Sequence, residues 1–281
     1  MALVHLNFES QYLQNNTDAL VILPDRPRTV EAKDFYENGK KYPVLWLLHG
    51  TFGDYTDWIR KSNIELYACE NDLIVVMPSA LNSDYVAWEG FATGYDPYRY
   101  ILDELMPLVH NWLPASSRRE DNFIAGLSMG GFGATMLGVN NPDKFAAVAS
   151  LSAPPTAPEA MTMPRGTQIM PGAAKRRANA IANAGGEEAY LAGAQNTWRI
   201  ITEAYEKGTR LPRLYFSCGK EDFLYPGFQA WKKHVQKSHM DDIVLEEVKG
   251  YTHEWRFWDL TIQHALDFFG VTKKDRKGNE F

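Results

Sequence analysis

Seven short apolar runs stand out along the chain: "DALVILP" (18–24), "YPVLWLLHG" (42–50), "NDLIVVMPS" (71–79), "DNFIAGLS" (121–128), "KFAAVASLSA" (144–153), "RLYFSCG" (213–219) and "DIVLEEV" (242–248). Most are apolar throughout instead of alternating with polar positions, the pattern of strands buried on both faces of a parallel sheet. Between them lie stretches of helical period. In "YDPYRYILDELMPLVHNWL", Asp96 is placed to cap, Pro97 takes the first helical position, and Ile101, Leu105, Val109 and Trp112 share one stripe. Pro107 is expected to kink this helix. "EWRFWDLTIQHALDFFG" aligns Trp258, Ile262, Ala265 and Phe269 and stops at Gly270. Strands alternating with helices predict βαβ units, hence an α/β fold with a mostly parallel central sheet flanked by helices.

No internal repeat and no linker divides the chain, so residues 1–281 are expected to form one domain, whose length lets it bury roughly three quarters of its unfolded surface. The alternation fails between 154 and 212. "PPTAPEAMTMPRGTQIMPGAAKRR" is rich in Pro, Gly, Ala and Met and leads into a helical stretch around "EEAYLAGAQNTWRIITEAYEKG". Two readings stay open for this insertion: a surface excursion with a small core of its own, or a cap over a substrate pocket in which the flexible Met161, Met163 and Met170 would pack against varied apolar groups. The basic tail "TKKDRKGNEF" reads as solvated.

Charge narrows the partners. The chain carries 29 basic and 35 acidic residues, net −6, with no basic run that would neutralise a row of phosphates, so nucleic acid is not expected. "MALVHLNFESQYL" lacks a basic leader and a cleavage site, and no later stretch approaches the 18 or so apolar residues of a membrane span. Cys69 and Cys218 lie far apart, which argues against a disulfide framework. A cytoplasmic protein without membrane contact is expected.

The candidate chemistry begins at "NFIAGLSMGGFGATML" (122–137), where Gly126-Leu127-Ser128-Met129-Gly130 matches G-x-S-x-G between a strand and a helical segment. A serine on so sharp a turn is strained, and its neighbours two residues away must lack side chains that would strike the strand and helix. Ser128 would project above the carboxyl edge of the sheet, where open α/β sheets hold their ligands. Its hydroxyl needs a base, and the base an acid to orient it; in α/β-hydrolases both follow the serine in the order acid, then histidine. His234 and His239 belong to the polar segment "AWKKHVQKSHM" and read as a solvated face, and His264 lies inside the last helix. His253, in "VKGYTHEW" between a strand and the terminal helix, is the candidate base, with a loop histidine that merely caps the helix as its bland alternative. Asp222, in "YFSCGKEDFLYP" at a strand's carboxyl end, is the candidate acid; Glu221 is expected to face solvent, and Asp241 and Asp242 fall at the opposite edge. Cys218 reads as a small core residue.

An oxyanion needs two backbone N–H donors. Met129, directly after the serine, offers one. The loop in "LLHGTFGDYTDW" offers the other, with Thr51 preferred and Phe52 its competitor, while His49 reads as structural. Phe52, and Trp88 and Phe91 in "YVAWEGFATGY", are candidates to line an acyl or aryl pocket; packing is the competing reading for the last two.

Together "LLHGTFGDYTDW", "LIVVMPSA", "FIAGLSMGGFGA", "CGKEDFLY" and "THEW" resemble the esterase D type of esterases, above all the cytoplasmic tributyrin-type esterases of bacteria. The likeness runs from about residue 42 to 255. It implies an α/β-hydrolase sheet, a triad of Ser128, Asp222 and His253, oxyanion donors at Thr51 and Met129, and no metal or organic cofactor. The chain lacks the cysteine-bearing loop expected after the oxyanion strand of S-formylglutathione hydrolases and the export signal of mycolyltransferases. A carboxylesterase acting through an acyl-enzyme on short-chain acyl or aryl esters is therefore expected. A feruloyl or acetyl-xylan esterase is the enzymatic alternative, and a noncatalytic binding protein on the same scaffold the alternative of another class. Such esterases commonly form homo-oligomers, which the sequence leaves open.

Overall fold

In the computed structural model, residues 2–163 and 172–271 are described. Eight strands, β1 (Ala2–Ser10), β2 (Asn15–Leu23), β3 (Val44–Leu48), β4 (Ile74–Pro78), β5 (Asn122–Leu127), β6 (Ala147–Leu151), β7 (Arg213–Gly219) and β8 (Val244–Val248), form one sheet in the order β1-β2-β4-β3-β5-β6-β7-β8. β1 and β2 are antiparallel to their neighbours and the pairs from β4 to β8 are parallel, so the fold is the α/β-hydrolase type expected. No helix among the described residues is long and apolar enough to cross a membrane.

The continuous apolar runs are explained by burial on both faces. Val44, Trp46 and Leu48 of β3 enter one core, with Ile124, Val148 and Phe216, while Leu45 and Leu47 enter the other, with Phe123, Ala125, Ala149 and Tyr215. Every residue of β3, β4, β5 and β6 is buried. The first core is closed by the helices Met129–Asn140, Met106–Trp112 and Tyr225–Lys237; the second by Ile64–Glu70 and the terminal helix Trp255–Phe269. Because the chain steps from β3 to β4 on one side and returns to β5 on the other, the carboxyl ends of β3 and β5 flank the crevice where strand order reverses.

The structure corrects several expectations. β1 was not anticipated: its inward residues Val4, Leu6 and Phe8 alternate with exposed ones, the period-2 signature of a strand covered on one face. Asp96 does cap, accepting from the Arg99 amide at 3.0 Å, but Pro107 produces no simple kink. A π-helical stretch, Tyr100–Leu105, precedes it. The wider turn accommodates a residue that has no amide to donate and whose ring crowds the preceding turn. Trp112, the last residue of the helix Met106–Trp112, faces solvent, 73 % exposed, while Ile101, Leu105 and Val109 are buried. His234 is not on a solvated face: its ring stacks on Trp198 at 4.5 Å and bonds the Thr202 hydroxyl at 2.8 Å.

Between β6 and β7 the chain forms helices Pro158–Met161, Ala173–Asn183, Glu187–Ala192 and Thr197–Lys207. The helical stretch read as one is broken at Gly193, and Asn196 restarts it by accepting from the Arg199 amide at 3.1 Å. Met170 and the tail 272–281 lie outside the described residues.

Candidate active site

The site is built where β5 ends. Ser128 has φ +52° and ψ −119°, a conformation that side chains rarely adopt. Its amide is tied to the Leu151 carbonyl of β6 at 2.8 Å, and its own carbonyl accepts from the Phe132 amide at 3.0 Å as the helix Met129–Asn140 begins. The flanking glycines are required by approach distance. A Cβ on Gly126 would sit 2.4 Å from the Gly130 carbonyl carbon, and one on Gly130 would sit 2.4 Å from the Leu48 carbonyl oxygen of β3. Strand, turn and helix therefore close only if both positions are bare.

His253 reaches this serine from the loop between β8 and the terminal helix. Its Nε2 lies 3.0 Å from Ser128 Oγ, and its Nδ1 lies 2.8 Å from Asp222 Oδ2. The geometry fits the tautomer in which Nδ1–H donates to the carboxylate and Nε2 accepts from the serine hydroxyl. Asp222 is 3 % exposed, and its other oxygen accepts from the Leu224 amide at 2.9 Å, so the carboxylate is held on both sides. Trp258 packs edge-on against the imidazole at 5.0 Å and is fixed in turn by donating to Ser152 Oγ at 3.0 Å.

Glu221 is exposed, as expected, but it also has partners. Its Oε2 accepts from the amides of Gly250 (2.8 Å) and Tyr251 (3.1 Å), pinning the loop that carries His253 to the end of β7. Sequence reasoning missed this because the partners are backbone groups thirty residues away, and nothing in the side chain's neighbours signals them.

After β3, His49 is buried and structural. Its Nε2 accepts from the Ala80 amide (2.9 Å) and its Nδ1–H donates to the Gly50 carbonyl (2.7 Å), an arrangement that needs the neutral ring. Burial lowers its pKa accordingly. The next two residues part ways. Thr51 lines the cavity beside Ser128, and its amide, like that of Met129, has no acceptor among the described residues. Phe52 is 77 % exposed, and its amide donates to Asn82 Oδ1 at 2.8 Å, which leaves it no free donor.

A cavity of about 1110 Å³ opens at Ser128. Its walls include Met129, Phe132 and Met136 from the helix after the serine, Phe223 and Leu224 beside Asp222, and Pro154, Pro155, Met161 and Met163 from the segment after β6. The three aromatics expected to line it do not. Phe52 faces outward, Phe91 packs edge-on against Tyr95, and Trp88 donates to the Ser83 carbonyl (2.8 Å) while packing on the core. The aromatic walls are instead Phe132, Phe223, Tyr98 and Tyr190. Cys218 is buried and its thiol is pushed up by that burial, away from thiolate chemistry. Among the described residues no cluster of three or more His, Cys, Asp or Glu is arranged to hold a metal ion.

Against known proteins, the chain aligns with the fluorophosphonate-binding serine hydrolase F of Staphylococcus aureus, a solved structure with 29 % identity and a TM-score of 0.76, over 97 % of this chain and 99 % of that one. An S-formylglutathione hydrolase from the same organism matches with 28 % identity and a TM-score of 0.76, over 95 % of this chain and 98 % of that one. Among curated proteins, an acetyl esterase of Caldicellulosiruptor saccharolyticus is 28 % identical over 270 residues, 95 % of this chain and 98 % of the relative. The family described as "Putative esterase" matches residues 10–269. The chain belongs to that esterase family, and it is a serine hydrolase of esters.

Proposed function

We propose that the protein is a carboxylesterase of small acyl or aryl esters that works through an acyl-enzyme on Ser128, with His253 as its base and Asp222 as the orienting acid. The hydrogen-bonded line from Asp222 through His253 to Ser128 at the mouth of a cavity carries this reading. Ser128 Oγ attacks the ester carbonyl carbon and passes its proton to His253 Nε2. Negative charge develops on the carbonyl oxygen, where the amides of Thr51 and Met129 donate to it. As the tetrahedral adduct collapses, the bond to the alcohol oxygen breaks and His253 protonates the leaving alcohol. Water then enters, gives a proton to His253 and attacks the acyl carbon, and Ser128 recovers its proton as the acid leaves. Asp222 keeps the imidazole in the reactive tautomer and offsets its transient positive charge.

In this reading residues 154–212 act as a cap within a single hydrolase domain. Support comes from Met161 and Met163, which wall the cavity, and from Arg176, whose Nη1 donates to Thr51 Oγ1 at 2.8 Å and whose guanidinium pairs with Asp84. The acetyl esterase relative favours a short acyl group. A cavity of this size exceeds what an acetyl group fills and leaves room for a bulky alcohol or an aryl acid, the observation that keeps a feruloyl-type substrate as the second reading.

The test is hydrolysis of 4-nitrophenyl esters from acetate to decanoate, plus ferulate, by the wild type beside Ser128→Ala. A Ser128-dependent rate that peaks at short chains is expected, and a ferulate peak would select the second reading. Absence of both Ser128-dependent turnover and covalent capture by a fluorophosphonate would return the chain to a noncatalytic scaffold.

A further inference from the structure

The helix Ala173–Asn183 turns one face to the cavity: Arg176, Arg177, Ala180 and Asn183, at the i, i+1, i+4, i+7 spacing of one helical face. The two arginines are in different electrostatic situations. Arg176 is neutralised by Asp84, with its Nε 3.2 Å from Asp84 Oδ2 and a closer contact from Nη2 to Oδ1. Arg177 is 8 % exposed, yet it has no carboxylate within ion-pair reach among the described residues. Among the described residues its partners are the Met161 carbonyl, which accepts from Nη1, and the face of Tyr190 at 5.8 Å. The other acids of the cavity are placed elsewhere. Glu89 and Glu159 are exposed, and Asp96 is occupied as a helix cap.

A guanidinium cannot shed its proton, and a buried one without a counter-ion carries an uncompensated desolvation cost. Five N–H donors in a planar fork match a carboxylate, and one of them is taken by Met161. We infer that Arg177 is a binding residue for an anionic group on the substrate, and that the preferred substrates are esters carrying a free carboxylate on the acyl or the alcohol half. The inference rests on the esterase reading above. It adds a charge requirement that an apolar acyl pocket does not contain.

The experiment compares kcat/KM for matched pairs that differ only in that charge. For the acyl half the pair is 4-nitrophenyl hydrogen adipate and 4-nitrophenyl methyl adipate; for the alcohol half, 4-acetoxybenzoate and methyl 4-acetoxybenzoate. The anionic-to-neutral ratio is taken in the wild type, Arg177→Met and Arg177→Lys, so that intrinsic reactivity cancels between proteins. A charge-assisted bond of this kind predicts a ratio about tenfold to a hundredfold lower in Arg177→Met for one of the pairs, with Arg177→Lys between. The pair that responds identifies the half of the ester bearing the charge. A ratio that falls less than threefold for both pairs overturns the inference while leaving the esterase standing. Loss of all Ser128-dependent turnover would strike the esterase reading instead. A binding measurement independent of turnover, and of whether Arg177→Met folds, is calorimetry of Ser128→Ala with monomethyl adipate and dimethyl adipate. Tighter binding of the monoanion is expected, and equal binding of the two overturns the inference.

Discussion

The edge of the sheet and the segment that covers it are built on opposite principles. At the carboxyl ends of β3, β5 and β7, geometry is imposed by backbone: strands buried on both faces, a serine at positive φ, glycines that nothing larger can replace, and a carboxylate fixed by an amide. Above it, helices Ala173–Asn183 and Glu187–Ala192 bury few side chains and meet the site through long ones, Arg176 and Arg177 among them. The first region can hold reacting atoms to within a fraction of an ångström because many buried bonds determine each position. The second is free to vary in what it admits. On the function proposed above, chemistry and selectivity fall to parts of the chain with different tolerance for change.

The sharpest way to break this division is to remove the chemistry without disturbing the scaffold. Ser128→Ala should lower kcat on the order of 10⁴- to 10⁶-fold, and Asp222→Asn on the order of 10³- to 10⁴-fold, with circular dichroism and melting temperature little changed. A next, smaller effect should be on stability. In Gly126→Ala the new methyl meets the Gly130 backbone at 2.4 Å, which ought to destabilise the fold by about 3 kcal/mol, read by urea denaturation, and to abolish activity with it. The same substitution at Gly185, whose nearest neighbour would be a methyl group at 3.8 Å, tests the φ of +90° alone and should cost less.

Changes in the covering segment should move substrate terms more than the fold. Arg176→Met removes the tie from Thr51 Oγ1 and Asp84 to the helix, and kcat/KM for a neutral ester should fall about tenfold. If melting temperature falls as steeply as in Gly126→Ala, the two regions are not separable as argued. Glu221→Gln keeps the shape but weakens two charge-assisted bonds to the Gly250 and Tyr251 amides; a loss of about threefold in kcat is expected, rising further in Glu221→Ala. The smallest effect concerns pH. Burial lowers the His49 pKa, so below the ordinary imidazole range near 6.5 the unfolded chain takes up a proton that the native protein resists. Stability contributed there is present above that range and is lost as pH falls through it, and His49→Gln should flatten the slope of melting temperature between about pH 7 and 5.

What the amino-acid order determined by itself was the scaffold and its candidate catalytic edge. Runs such as "VLWLL" and "IVVMP" are apolar at every position because both faces of a parallel strand are covered, so they read as buried strands without any knowledge of their neighbours. The G-x-S-x-G turn is local in part: the clash that forbids a side chain at Gly126 is with Gly130, four residues on, whereas the one at Gly130 is with the Leu48 carbonyl of β3. Asp222 and His253 could be singled out because each follows a strand that ends at the same edge. Tertiary structure decided the rest. The stacking of His234 on Trp198 and the grip of Glu221 on a distant loop depend on partners remote in sequence. So does the lining of the cavity: Phe52, Trp88 and Phe91 are aromatic and near the edge, but only the path of the loops turned them away and brought Phe132 and Phe223 inward. Local sterics leave a signature in consecutive residues, whereas a wall assembled from separate elements leaves none until the chain has folded.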